Sequence, residues 1–142
     1  MDFAFQRCLE ENRLLIVQDS EESAIKELEA AKSDFHSGRM GLRVGDYKWS
    51  IIQAHVALCH AARSLLYSEG YEGKHLSSVV LALDNLFCRT GKLSRSSMEW
   101  LAKGQELRAK AELDLEYSKE TAMKILAAAE RFIHEAEVIL IG

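Results

Sequence analysis

Apolar residues recur at intervals of three, four and seven through most of the chain, the period of helices packed on one face. Asp19 with Glu22 three residues later forms a capping box, and Ala24, Leu28, Ala31, Phe35 and Leu42 follow, which predicts a helix over 21–43. Gly45 can supply the left-handed residue that ends it, and Asp46 can cap the next helix, expected to reach about Ser68. So short a connection makes the two helices antiparallel neighbours. In the second helix Trp49, Ile52, Val56, Cys59 and Leu66 make one stripe, and Ile51, Leu58 and Leu65 a second beside it. Two stripes predict a central helix with neighbours on two flanks.

The glycines of EGYEGK permit a reversal, after which Leu76, Val79, Val80, Leu83, Leu86 and Phe87 predict a third helix beginning near Lys74 and stopping before Gly91. Ser94 or Ser96 can cap a fourth, with Glu99 completing a box on Ser96, and Trp100, Leu101, Leu107 and Ala111 as its inner face. Ser118 caps a fifth, whose inner face is Ala122, Ile125, Ala129, Phe132, Ile133, Ala136 and Leu140. Ahead of these lie a short helix around Phe3 to Asn12 and the run RLLIVQD, read as a connector too isolated to belong to a sheet. The expected fold is therefore all-α: an antiparallel up-and-down bundle of four to five helices with a short extra N-terminal helix. It forms a single domain over 1–142, with 1–18 as an extension packing on the bundle.

Composition strengthens this reading. The chain has 142 residues, enough for one domain with its own core, and no proline. A formal charge of −4, from 18 basic and 22 acidic residues, argues for a soluble protein and against a broadly basic coat for nucleic acid. Three cysteines, Cys8, Cys59 and Cys88, lack the close spacing of a zinc or redox motif, so reduced thiols are expected. No secretory leader is recognisable, and the terminal AEVILIG is far shorter than the roughly 20 apolar residues of a membrane span. A cytoplasmic location is expected.

Several side chains interrupt the apolar pattern. His60 and Arg63 are three apart on one helical face and could hold a phosphate, or could pair with a neighbouring helix through Asp34, Asp84 or Glu130. Lys74 and His75 stand at the start of the third helix, where free N–H groups favour anions. His55 and Cys59, four apart, are two metal ligands without a third, so neither a metal nor a cofactor is expected. Arg108, Lys110, Glu112, Asp114 and Glu116 alternate in sign, the usual mark of a solvated face. No serine hydrolase elbow, phosphate-binding glycine loop or dinucleotide fingerprint occurs, and no catalytic residue is assigned.

The segments ELEAAKSDF, GDYKWSIIQAHVALCHAARSLLYSEGY, the histidine at 75, LRAKAEL around Arg108 and AAAERFIHEAEVIL together resemble the HEPN family, the higher-eukaryote and prokaryote nucleotide-binding domain. The resemblance spans nearly the whole chain. It implies that the region of Arg108 lines a groove at a dimer interface where nucleotide or RNA is handled. Two departures stand out. His55, Val56 and Cys59 replace aromatic residues that the family often carries. Ribonuclease members place a histidine after four to six residues beyond an arginine, and from Arg108 those positions are Leu113, Asp114 and Leu115. The favoured expectation is a noncatalytic, homodimeric nucleotide-binding or interaction module. Arg108, His75, Lys74, His60 and Arg63 are its contact candidates for nucleotide or RNA, and a minimal nucleotidyltransferase is its partner in a toxin-antitoxin pair. The alternatives are a metal-independent ribonuclease in which His60, His75 or Asp114 replaces the missing histidine, and a scaffold that only dimerises.

Overall fold

The computed structural model describes residues 2–18 and 20–142, with Ser20 described by its backbone alone. The expected capping box on Asp19 therefore lies outside the described residues. In chain order the elements are α1 (Phe3–Glu10), β1 (Leu14–Ile16), α2 (Ser20–Arg43), α3 (Tyr47–Ser68), β2 (Tyr71–Gly73), α4 (Leu76–Leu83), a π-helical turn over Asp84–Cys88, α5 (Arg95–Leu113) and α6 (Lys119–Ile141). The protein is an all-α bundle. Among the described residues no helix is long and apolar enough to cross a membrane.

The bundle is built around α3, which packs against α2, α5 and α6. Gly45 adopts φ +81° at the end of α2, and the Asp46 carboxylate accepts the Trp49 N–H at 3.1 Å, so a left-handed residue and a cap reverse the chain together. The two helices then lie very close. A methyl group on Gly38 would fall 2.9 Å from the Leu126 side chain and 3.3 Å from the Ser50 carbonyl, and the buried Ser50 hydroxyl donates to the Gly38 carbonyl at 2.8 Å.

The buried face of α3 is made mostly of Ala54, Ala57, Ala61 and Ala62 with Ile51, Leu58, Leu65 and Leu66. That corrects one expectation. Of the stripe Trp49, Ile52, Val56, Cys59 and Leu66, only Leu66 is buried, while Trp49 is exposed and the middle three are half-buried. Helical period reveals that a face is apolar, but not whether the chain itself covers it.

A second correction concerns residues 14–16, which do join a sheet. Leu14, Leu15 and Ile16 pair antiparallel with Gly73, Glu72 and Tyr71. Phe5 of α1, fully buried, meets Tyr71 edge to face with ring centroids 5.3 Å apart, so the N-terminal segment contributes to the core. The turn into α4 also differs in detail. The helix starts at Leu76 instead of Lys74, with His75 as N-cap: its N–H donates to the Ser78 hydroxyl at 3.2 Å, which donates back to the His75 carbonyl at 2.9 Å.

The cap of α5 is Ser94, whose hydroxyl accepts the Ser97 N–H at 3.1 Å; Glu99 takes no part. The acidic partner comes instead from α6. The Glu135 carboxylate accepts the Ser94 N–H at 2.7 Å and the hydroxyls of Ser94 and Ser97, tying the start of α5 to its antiparallel neighbour. Ser97 is buried, so removing the carboxylate leaves donors that water reaches poorly. Glu135→Ala is expected to lower the unfolding free energy by about 1–3 kcal/mol, whereas Glu99→Ala leaves the urea midpoint where it was.

Candidate functional site: an arginine-bearing groove between α3 and α5

Helices α3 and α5 run antiparallel and meet closely at Gly104, where a methyl group would sit 3.1 Å from Leu58 Cδ1 and 3.3 Å from His55 Cδ2. One turn further along α5, this contact places Arg108 against His55. The Arg108 guanidinium makes two contacts: Nε donates to Glu112 Oε1 at 2.5 Å, and Nη1 approaches His55 Nδ1 at 3.4 Å. On the other side of the ring, His55 Nε2 lies 3.5 Å from Cys59 Sγ. An arginine can only donate, so Nδ1 is the accepting nitrogen and the Nε2–H faces the sulfur.

The electrostatics agree with that tautomer. Burial, with the Arg108 charge beside it, pushes the His55 imidazolium down from 6.5 to about 4, against a weaker opposing pull from Glu112. Burial also raises the Cys59 thiol, despite the charges of Arg63 and Arg108 nearby. Glu112 moves the other way, lowered first by its hydrogen bond from Arg108 and further by the charges of Arg108 and Lys48. At neutral pH the site therefore holds a neutral imidazole, a neutral thiol and an arginine held by one carboxylate. It opens as a cavity of about 360 Å³ lined by His55, Gln105, Arg108, Ala109, Glu112 and Leu113. A larger space of about 640 Å³ lies between α4 and α5; its walls are mainly apolar, with Arg95 paired to Asp84 at 3.3 Å at its edge and no histidine or cysteine in its lining.

The residues singled out in the sequence do not all come together. Arg108 lies in the groove, and Arg63 is exposed on the same side of α3, one turn beyond Cys59. His60 faces α2 instead. Its Nδ1 meets Glu27, and its Nε2 lies 3.4 Å from Asp34, so it bridges two carboxylates spaced two turns apart. Lys74 and His75 are exposed where β2 leads into α4, past the far end of α3. Asp114 ends α5 as its exposed C-cap.

Spacing points to His55 only together with Cys59, four residues on, and the two side chains do meet. Its contact with Arg108, 53 positions away on another helix, has no local signature in the sequence. Among the described residues, no group of three or more histidine, cysteine, aspartate or glutamate side chains has the geometry to hold a metal ion.

The groove and the helices that frame it define the class: a small all-α bundle with an arginine set between two of its long helices. The HEPN domain model matches residues 17–139, and the chain belongs to the HEPN family. At the level of that family it is a nucleotide- or RNA-related module. No curated protein matches the chain.

Because His55 loses its proton at lower pH in the folded chain than in the unfolded one, the unfolded chain binds more protons between about 4 and 6.5, and stability rises with pH across that window. The contribution is complete above 6.5 and is lost as pH falls toward 4; its full size is roughly 3 kcal/mol. Denaturation of wild type and His55→Gln from pH 4 to 7.5 should give a steeper acid loss for wild type. An imidazole titrating near 6.5 by NMR would contradict the burial argument.

Proposed function

We propose that the chain is a noncatalytic binding module: a single-domain HEPN homodimer in the cytoplasm that receives a phosphate of a nucleotide or RNA on Arg108. It works beside a minimal nucleotidyltransferase as one half of a toxin and antitoxin pair, a partnership that rests on the family resemblance. The observation that carries the binding reading is the state of the groove. Arg108 offers a forked donor of the kind that suits phosphate, while the adjacent imidazole is neutral, its affinity for a proton lowered by burial and by the arginine's own charge. Arg63, on the same side of α3, supplies a second contact along the strand. Lys74 and His75 are too far along the chain's path to share that phosphate and act as an outlying anion contact. His60 fixes the register of α2 on α3 through Glu27 and Asp34.

One observation favours a second reading, the metal-independent ribonuclease. The histidine beside Arg108 is His55, contributed by another helix, and not His60, His75 or Asp114. Labelled RNA incubated with the protein in EDTA separates the two. Cleavage abolished by both Arg108→Ala and His55→Ala would establish the ribonuclease; intact RNA that is nonetheless bound supports the module.

For binding itself, Arg108→Ala is expected to weaken a short fluorescent RNA by about tenfold, equivalent to about 1.4 kcal/mol, and to reduce the salt dependence by about one phosphate. Equal affinity in the variant contradicts the assignment. A wild type whose melting temperature does not move with any mono- or oligonucleotide points to the scaffold alone. Purification from the native host should recover the transferase together with the chain.

A further inference from the structure

A cavity of about 460 Å³ lies against α1, apart from the Arg108 groove, and its size is that of a small-molecule pocket. It is lined by α1 with its N-cap Asp2, by Arg13 ahead of β1 and by Leu81 of α4. None of its lining residues lies on α3 or α5, and all but Leu81 come before the HEPN segment that starts at residue 17.

Arg13 has its backbone fixed on both sides. Its N–H donates to the Cys8 carbonyl at 2.9 Å, and its carbonyl accepts the Lys74 N–H at 3.0 Å, which ties the end of α1 to the turn between β2 and α4. The side chain is less well served. Nη2 donates to Glu11 Oε2 at 2.9 Å, but Nε is buried and, among the described residues, is the one buried side-chain nitrogen or oxygen without a hydrogen-bond partner. Buried donors are almost always satisfied, so a donor that its own chain leaves without an acceptor points to one supplied from outside.

Arg7 lines the same cavity. Its guanidinium lies over the Phe3 ring, 5.4 Å from the centroid, and a guanidinium stacked in that way keeps its N–H edge free for oxygen ligands. Among the described residues Arg7 enters no ion pair. The one carboxylate in the lining is already engaged: Asp2 accepts the Phe5 N–H at 2.9 Å and Arg89 Nη2 at 2.6 Å. Glu10, on α1 but outside the lining, is exposed, and so is Lys74, which opposes it in charge.

Two guanidiniums on one cavity call for an anion with several oxygens. A phosphate monoester brings three terminal oxygens and a charge of about −1.5 to −2, more than one carboxylate can offer to two forked donors. We propose that this cavity binds a small phosphate monoester between Arg7 and Arg13, independently of the Arg108 groove and of the function assigned to it.

Titration of the isotope-labelled full chain with phenyl phosphate, followed through the backbone amides of Arg7 and Arg13 by NMR, tests the site. Saturable shifts are expected in wild type and equally in Arg108→Ala, in which the groove has lost its own cation. Arg7→Gln and Arg13→Gln should each weaken binding by about tenfold, the loss expected for one hydrogen bond to a charged group. Arg7 is exposed, so its variant keeps the test readable should Arg13→Gln disturb the joint between α1 and β1. Benzoate, with the same ring and a single carboxylate, should bind at least about tenfold more weakly than phenyl phosphate. Absence of saturable shifts overturns the proposal, as does binding that is indifferent to both arginine variants. Shifts lost in Arg108→Ala would assign the anion to the groove instead, and benzoate binding as tightly as phenyl phosphate would remove the phosphate assignment.

Discussion

The close approach of α3 to its neighbours is the constraint on which the rest depends. Ala54, Ala57, Ala61 and Ala62 give that helix a buried face with little side-chain bulk, and Gly38 on α2 and Gly104 on α5 receive it where a methyl group would crowd. Packing at that density leaves little slack, so polar groups on α3 find partners at fixed places. Ser50 bonds to the Gly38 carbonyl, His60 spans Glu27 and Asp34, and His55 is pressed between Arg108 and Cys59. The groove follows from the core and not from a loop added to it. Its chemistry inherits the rigidity of two long helices.

Much of the fold was legible because helix ends announce themselves locally. Gly45 with Asp46, Ser94 and Ser118 each satisfy free backbone groups with residues a few positions away. Long-range features gave no such sign. The pairing of Leu14–Ile16 with Tyr71–Gly73 joins three-residue strands too short to show alternation, and the acidic partner of the α5 cap sits on another helix. The early change from α4 to a π-helical turn at Asp84 likewise interrupts a pattern that reads as one continuous helix through Phe87.

The site was half legible for the same reason. Arg108 stands out by resemblance, but the family pattern puts a histidine downstream of the arginine, whereas the ring that touches Arg108 here arrives from α3. His60 and Arg63 looked like a pair because three residues separate them. In three dimensions His60 turns toward α2 while Arg63 stays exposed, since a three-residue step rotates a helix by about 60° and neighbours on both sides compete for the side chains.

The small β1–β2 pair has a consequence during synthesis. Phe5 and Leu14 leave the ribosome well before Tyr71 and Gly73, which they pack against or pair with. At about 5–20 residues per second, this apolar segment waits several seconds for its partner strand. Helices α2 and α3 are both synthesised before that partner strand, so the N-terminal segment can be clasped to the bundle only after the residues of the helical hairpin have been made.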